Sequence, residues 1–231
     1  LKKQTMPVEV FIRDNSEDNI YFTAAVNEGI RHFLSTDPAY IILLNQDMYL
    51  DATAVYEMAS FMDRHPACGI VQPLQIHPMR PEFAVCAGGI EAFPFGKHHY
   101  GLVSDFANAE IAWSNGACMM LRTRMVKEIG LLDENMSFIG SDSDYCFTAR
   151  SRGWQVWRCI DARGIHEQGA SSHIVDDVIE RIKIENMLYF AEKWLTGAVY
   201  RNLSEEGESL SVEAVNEWTN RFKEGIRHLS R

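Results

Sequence analysis

A run of five apolar residues that ends in a short polar segment is the feature that most constrains the fold of this chain. The run is Tyr40-Ile-Ile-Leu-Leu44, and Asn45-Gln46-Asp47 follows it directly. Five continuous apolar residues predict a strand that is buried on both faces, as in a parallel sheet flanked by helices. Ligands of such open α/β sheets bind beyond the carboxyl ends of the strands, so the polar segment lies where a ligand would bind.

The polar segment carries two oxygen-bearing side chains on one side of an extended chain. Asn45 and Asp47 are two residues apart, and side chains at that spacing share a face. There, an amide oxygen and a carboxylate could meet a hard cation together with a phosphate group. The alternative interpretation is structural: a turn at the end of the strand, followed by a helix that Asp51 caps. The segment by itself leaves both interpretations open.

Predicted strands and helices alternate along much of the chain, which is typical of a doubly wound α/β sheet. The predicted strands span residues 8–13, 40–44, 68–74, 113–122 and 154–160. The predicted helices span residues 21–34, 52–64, 124–129, 141–153, 176–195 and 212–229. We therefore predict a mostly parallel central sheet flanked by helices, with a C-terminal helical tail. Residues 77–108 hold prolines, glycines and aromatic residues, and we expect loops and short strands that cover a site.

Length, charge and cysteine content limit the kind of protein this can be. A chain of 231 residues fits one large domain with a helical tail, and we place the domain at residues 1–175 and the tail at 176–231. The formal net charge of −10 argues against nonspecific nucleic-acid binding and against a polybasic membrane anchor. The five scattered cysteines predict buried thiols in a reducing compartment rather than disulfides or a zinc site. No apolar run approaches the roughly 18 residues that a membrane span requires.

Two aspartates begin one of the predicted helices, and a histidine lies in a glycine-rich turn. Asp142 and Asp144 would point about 200° apart around that helix, so both cannot face one pocket. We expect one of them to cap the helix and the other to be free to act, although first-turn aspartates are common for structural reasons alone. His166 follows a predicted strand, and it is either a ligand or a hydrogen-bonded loop residue.

The remaining polar and aromatic candidates each have a structural alternative. Trp113 precedes Ser114-Asn115-Gly116 and could stack on a sugar, although buried core tryptophans are more common. The pair His98-His99 has no third ligand at a suitable spacing, so we predict it to be loop surface. Four basic residues could bind phosphate or could be solvated surface charges: Arg122, Arg124, Arg163 and Lys193.

Seven short motifs follow one another from residue 14 to residue 169. They are Asp14-Asn15-Ser16, residues 20–30 (IYFTAAVNEGI), Leu43-Leu-Asn45-Gln46-Asp47, residues 116–122 (GACMMLR), residues 129–134 (IGLLDE), residues 141–154 (SDSDYCFTARSRGW) and His166-Glu-Gln-Gly169. Each motif is weak alone, but the ordered set resembles the family 2 glycosyltransferases of the GT-A fold. The resemblance is greatest to the bacterial rhamnosyltransferase and galactofuranosyltransferase branch, and it extends from Leu1 to about Trp194.

The resemblance implies roles for the residues that bind the donor. Asp47 and His166 stand where the family contacts a divalent metal and the diphosphate, and Asn45 lies beside them. Asp14 stands where the family contacts the nucleobase. Oxygen ligands with one imidazole favour Mg2+ or Mn2+ over metals that prefer thiolates.

The resemblance also implies a catalytic base and an acceptor side. Asp142 stands at the position of the family's base, which takes the proton of an acceptor hydroxyl as that hydroxyl attacks the anomeric carbon with inversion. Trp113, Asn115 and Asp144 fall on the acceptor side. The metal would neutralise charge on the departing nucleoside diphosphate.

The partners that the resemblance implies are small molecules and glycans rather than nucleic acid. We expect a UDP- or dTDP-linked sugar as donor, a glycan or lipid-linked acceptor, and a role in surface-polysaccharide synthesis. The expected location is the cytoplasm. Peripheral association with the inner face of the membrane and homo-oligomer formation are left open.

Three departures from the family pattern define the alternatives. Asn45 replaces a carboxylate, and Ser141 replaces the acidic neighbour of Asp142. Residues 1–7 resemble the end of the family's first helix, so we expect the family's first strand and most of that helix to precede this chain. These departures motivate a noncatalytic relative that binds a nucleotide sugar through a degenerate site. A nucleotidyltransferase is a third possibility, but it needs a glycine-rich basic phosphate loop, and none is visible.

Overall fold

The computed structural model describes residues 1, 3–89, 98–167 and 177–194. The predicted helix at 212–229, the polar linker at 204–209 and Gly169 lie outside these residues. The described helices are α1 (Tyr21–Leu34), α2 (Ala54–Arg64), α3 (Thr123–Ile129), α4 (Ser141–Ser151) and α5 (Asp177–Trp194). The described strands are β1 (Tyr40–Leu44), β2 (Met48–Leu50), β3 (Cys68–His77), β4 (Arg80–Cys86), β5 (Gly101–Leu102), β6 (Ala109–Glu110), β7 (Cys118–Arg122) and β8 (Gln155–His166).

One sheet contains all of these strands, and most of its neighbours are antiparallel. The sheet runs β1-β7-β3-β4-β5, and β8 pairs with β2, β3 and β6. Among the described strands, β3 and β8 form the one parallel pair. The prediction of an α/β fold with a central sheet is confirmed, but the prediction that the sheet is mostly parallel is wrong. An apolar run shows how deeply a strand is buried, but it does not show in which direction the neighbouring strands run.

Helices cover both faces of the sheet. Strand β1 shows the two layers, because Ile41 and Leu43 are fully buried and belong to the core beneath α1, α3, α4 and α5. Ile42 is only half-buried and packs on the second core beneath α2. The strand is therefore fully buried on one face alone. The strand predicted for residues 8–13 is wrong, because this segment forms no strand and leaves Ile12 82% exposed.

The five cysteines are buried and free, as their scatter predicted. Within the described residues, no helix has an apolar stretch long enough to cross a membrane.

A buried side chain on α1 holds the segment between α3 and α4. Asn27 accepts a hydrogen bond from the N–H of Leu132 (3.0 Å) and donates one to the carbonyl of the same residue (2.9 Å). It also donates to Glu134 (2.8 Å). Asn186 of α5 holds the same segment from the other side, by accepting bonds from the N–H groups of Phe138 and Ile139. This segment leads directly into α4, which carries Asp142.

The role of Asn27 can be tested by truncation. Asn27→Ala is expected to lower the free energy of unfolding by about 2 kcal/mol, because two buried backbone groups of Leu132 lose their partner. Urea unfolding measures the change. Glu28→Ala is the control, since this exposed neighbour makes only a surface ion pair with Arg13, worth less than about 1 kcal/mol. Equal losses in the two variants would contradict the role of Asn27.

Candidate active site

A cavity of about 330 Å³ lies where β1, β7, β8 and the start of α4 come together. Asn45, Asn115, Asp142 and His166 supply polar groups to its wall. The aromatic part of its wall is formed by Phe22, His98, Trp113 and Phe138. The cavity thus combines an apolar wall with a few polar groups, as ligand sites do.

Asp142 is placed at this cavity by the first turn of α4 and by a glycine on the strand side. Its Oδ2 accepts a hydrogen bond from the N–H of Gly116 (2.8 Å), and its Oδ1 accepts one from the N–H of Ser143 (2.8 Å). A Cβ on residue 116 would lie 3.0 Å from Phe22 and 3.2 Å from Oδ2 of Asp142, so glycine is what permits this approach. Burial raises the pKa of the Asp142 carboxyl above its ordinary value, although both N–H groups act against the rise. A raised pKa makes this carboxylate a better general base.

Asp47 and His166 face each other beside the cavity. Nε2 of His166 lies 3.6 Å from Oδ2 of Asp47, and the two side chains are only 11% and 15% exposed. Nδ1 of His166 lies 2.8 Å from Oε1 of Gln75. Because an amide oxygen only accepts, Nδ1 carries a proton, and in the neutral ring Nε2 is then free of one. Burial lowers the pKa of His166 despite the nearby Asp47, which favours the neutral ring.

This pair fits part of a metal site. A neutral imidazole whose free nitrogen faces a carboxylate is a suitable pair of ligands for Mg2+ or Mn2+. The bond to Gln75 supplies the outer support that ligating histidines usually have. Among the residues described, no cluster of three or more histidine, cysteine, aspartate or glutamate side chains could hold a metal. The further ligands of such a site would be other oxygen groups, such as the amide of Asn45, water or oxygens of the substrate.

Two buried glutamines of β3 organise the floor of the site. Gln75 donates to Oδ1 of Asn115 (3.3 Å) as well as contacting His166, and Gln72 accepts from the N–H of Asn115 (3.1 Å). Oδ1 of Asn115 also accepts from the N–H of Ala117 (2.8 Å). Asn115 is therefore present at the predicted site, with its side-chain oxygen used to shape the loop. Sequence reasoning missed both glutamines, although polar residues within an otherwise apolar strand are a signal of buried polar contacts.

Trp113 is buried, which agrees with the structural alternative, and only a small part of it lines the cavity. The indole is 3% exposed and packs against His98, with ring centroids 4.7 Å apart. A Cβ on Gly89 would lie 2.1 Å from Nε1 of Trp113, so the chain approaches this ring closely. The prediction that His98 is loop surface is wrong, because the residue is half-buried and lines the cavity. Loop composition could not reveal a contact with a tryptophan 15 positions further along the chain.

Asp144 is directed away from the cavity. It is 2% exposed, forms an ion pair with Lys193 (2.8 Å) and accepts a hydrogen bond from Nε1 of Trp194. Burial raises the pKa of the Asp144 carboxyl, although Lys193 acts against the rise. The expectation that one of the two aspartates is a helix cap is wrong: the N-cap is Gly140, and Asp144 instead joins α4 to α5. The structure therefore does not bring Asp144 to the cavity that Trp113, Asn115 and Asp142 line.

Asp14 also lies outside the cavity wall. Its exposed carboxylate accepts bonds from the N–H (2.9 Å) and the hydroxyl (2.6 Å) of Ser16. These bonds lower the pKa of the Asp14 carboxyl below its ordinary value. They form a local turn, and the side chain makes no contact with the other predicted site residues.

The four candidate phosphate-binding residues have other partners. Arg122 donates to the carbonyls of Met62 (2.7 Å) and His65 (3.0 Å) at the end of α2. Arg124 lies over the ring of Trp154, and Arg163 donates to the carbonyl of Ile160. Lys193 pairs with Asp133 and Asp144. None of these four side chains lines the cavity.

Comparison with known proteins agrees with this geometry. Residues 10–181, well over half the chain, match the family model described as glycosyltransferase like family 2. The chain belongs to this family. No curated protein matches it.

Two solved structures show the same fold as this family 2 chain. The structure of GalNAc-T7 with UDP, GalNAc and Mn2+ is 13% identical, with a TM-score of 0.57, and the match covers 92% of this chain and 44% of that one. The mannosyltransferase PcManGT from Pyrobaculum calidifontis, in complex with GDP-Man and Mn2+, is 10% identical with a TM-score of 0.50. That match covers 90% of this chain and 54% of that one. The chain thus has the GT-A fold and spans about half the length of these two proteins.

The raised pKa of Asp142 should make the free energy of unfolding depend on pH. Because its pKa is raised in the folded state, ionisation destabilises the fold as pH rises from the ordinary value of 3.8 through the folded value. The free energy of unfolding of Asp142→Asn, minus that of the wild type, should therefore increase across this window and then become constant. Urea unfolding at several values from about pH 2 to about pH 7 measures the difference.

The control for this measurement is Asp14→Asn, where the opposite sign is expected. The pKa of Asp14 is lowered, so its carboxylate stabilises the fold above the ordinary value, and this contribution is lost as pH falls through the folded value. The free energy of unfolding of Asp14→Asn, minus that of the wild type, should become more negative as pH rises to the ordinary pKa of 3.8 from the lower folded value. The same sign in both variants would contradict the assignment.

Proposed function

We propose that this protein transfers a sugar from a nucleotide-sugar donor to a hydroxyl group of a glycan or lipid-linked acceptor, with inversion. The observation that carries the proposal is the carboxylate of Asp142, with its raised pKa, on the wall of a cavity that Asn45 and His166 also line. Membership of the family supports sugar transfer. The two neighbours crystallised with UDP or GDP-Man support a nucleotide-sugar donor.

In this proposal Asp142 is the general base. Its carboxylate takes the proton of the acceptor hydroxyl while the hydroxyl oxygen bonds to the anomeric carbon of the donor. The bond from that carbon to the diphosphate oxygen breaks, and the nucleoside diphosphate leaves with the electron pair. The N–H groups of Gly116 and Ser143 hold the carboxylate in place during this transfer.

Asp47 and His166 would hold the divalent metal beside the donor diphosphate. When bound, Mg2+ or Mn2+ stabilises the negative charge that develops on the departing diphosphate. Asn45 supplies an amide to the same side of the cavity. Gln75 keeps Nδ1 of His166 protonated and so leaves Nε2 directed towards Asp47.

The finer assignments are also proposals, and they rest on the motif resemblance. They are a rhamnosyl- or galactofuranosyl-type transfer, a UDP- or dTDP-linked donor, a nucleobase contact at Asp14, and a role in surface-polysaccharide synthesis. We further propose a transferase domain at residues 1–175, a helical extension at 176–231 and action in the cytoplasm. Such a protein would work at the inner face of the membrane if its acceptor is lipid-linked.

The test is donor turnover with Asp142→Asn as the decisive variant. The protein is incubated with Mn2+, acceptor glycans and a panel of UDP-, dTDP- and GDP-sugars, and release of nucleoside diphosphate is measured. We expect turnover with one donor and a loss of at least about 100-fold in Asp142→Asn. In the wild type, kcat/KM should fall as pH drops through the raised pKa of Asp142.

The control for turnover is Asp105→Asn, which makes the same chemical change at an exposed position outside the cavity wall. Its turnover should equal that of the wild type. Donor binding without turnover in any form would contradict catalysis and favour a module that only binds nucleotide sugars.

The metal assignment has its own test. Gln75→Met removes the acceptor for Nδ1 of His166 while keeping a similar volume, so the apparent affinity for Mn2+ with UDP should fall by about 10-fold or more. Electron paramagnetic resonance of free Mn2+ measures the affinity. Gln46→Met is the matched control, because this exposed glutamine adjoins Asp47 and should change nothing. Equal affinities in all forms would contradict metal binding at His166.

A further inference from the structure

His98 contributes a ring to the cavity that the proposed mechanism does not use. It packs on Trp113 with centroids 4.7 Å apart and an interplanar angle of 55°. On its other side, its Nδ1 lies 3.2 Å from Sγ of Cys86, a fully buried thiol at the end of β4. His98, Asp142 and His166 line the same cavity, and the charge of Asp142 raises the pKa of His98 while burial lowers it more strongly.

The surroundings of Cys86 decide which nitrogen of His98 carries the proton. Sγ already accepts a hydrogen bond from the N–H of Gly88 and a long one (3.8 Å) from Nε2 of Gln72. Burial raises the pKa of the thiol to about 11, so the sulfur keeps its proton at neutral pH. We infer that the thiol donates this proton to Nδ1 of His98, 3.2 Å away, which leaves the hydrogen of the neutral ring on Nε2. Burial also lowers the pKa of His98, so the ring is neutral.

The charge of the cavity wall limits what can bind there. Asp142 is its only carboxylate, and no lysine or arginine lines it among the described residues. An anionic sugar would therefore meet the like charge of Asp142, and no basic side chain of the described wall would compensate it. The metal that Asp47 and His166 would hold is taken up by the donor diphosphate in the proposed reaction. An uncharged sugar would meet an aromatic surface and a neutral hydrogen-bond donor instead.

We propose that His98 and Trp113 form a subsite for an uncharged acceptor sugar, in which the Nε2–H of His98 donates a hydrogen bond to a hydroxyl of that sugar. This inference rests on the proposed transfer reaction. The tryptophan is 3% exposed and packs against the ring of His98, so it holds that ring in position at the cavity wall. The histidine orients the sugar so that the reacting hydroxyl lies within reach of Asp142.

Three substitutions at position 98 test which atom of the ring acts. The amide nitrogen of glutamine can reach the position of Nε2, whereas that of asparagine reaches only as far as Nδ1. We therefore expect His98→Phe and His98→Asn to raise the KM for the acceptor about fivefold to tenfold, as the loss of one neutral hydrogen bond predicts. His98→Gln should restore most of the affinity, and kcat and the KM for the donor should change little.

The control is His77→Phe, because His77 lies at the end of β3 and does not line the cavity. Its acceptor KM should equal that of the wild type. An unchanged acceptor KM in His98→Phe, or rescue by asparagine rather than glutamine, would overturn the inference and leave the transferase proposal intact. Neutral glycosides should compete for the subsite and the matching uronides should not; competition by uronides would overturn the uncharged specificity.

A second measurement needs no turnover. Nitrogen-15 NMR of histidine-labelled protein reports the protonated nitrogen of each ring, and His98→Gln identifies the signal of His98 by its loss. The wild type should carry the proton on Nε2, and Cys86→Ala should weaken that preference. Protonation of Nδ1 in the wild type would overturn the inference. If no donor turns over, the proposed function fails, while this measurement still decides the state of His98.

Discussion

The requirement that buried polar groups be hydrogen-bonded is the constraint on which the site depends. Strand β3 is buried at nine of its ten residues, yet it carries two glutamines whose amides cannot reach water. They find partners in Asn115, in the loop before β7, and in His166, at the end of β8. Satisfying the core therefore also orients the imidazole and shapes the loop in front of Asp142. The interior of the fold and the floor of the cavity are one hydrogen-bonded unit.

Asp142 and Asp144, in the first turn of α4, have different surroundings because they point to different sides of the helix. Asp142 faces the cavity and is held by backbone N–H groups, which leave it available to a substrate. Asp144 faces α5 and is neutralised by Lys193. Burial raises the pKa of both aspartates, but of the two only Asp142 lines the cavity. A perturbed pKa therefore indicates a functional residue only when a substrate can reach the group.

Much of the fold was predictable because it depends on local patterns. The limits of α1 and β1 agree with prediction, and those of α2 and α3 differ by one or two residues at one end. The described residues of α5 all lie within its predicted range. The error at residues 8–13 has a different origin, since an alternating pattern predicts a strand only if a partner strand is available. The direction of neighbouring strands was likewise beyond local patterning. His98 and the β3 glutamines were missed as site residues because their partners are distant in sequence.

The sequence by itself determined most of the described helices and the strands β1 and β3, the burial of the five thiols, and the ordered motifs that indicate the family. These properties follow from side-chain type and spacing, which act within a few residues. Only the tertiary structure decided which of two aspartates reaches the cavity, that His98 packs on Trp113, and that Gln75 selects the tautomer of His166. These outcomes depend on distances of a few ångströms between residues far apart in the chain, and only the packed sheet and helices set such distances.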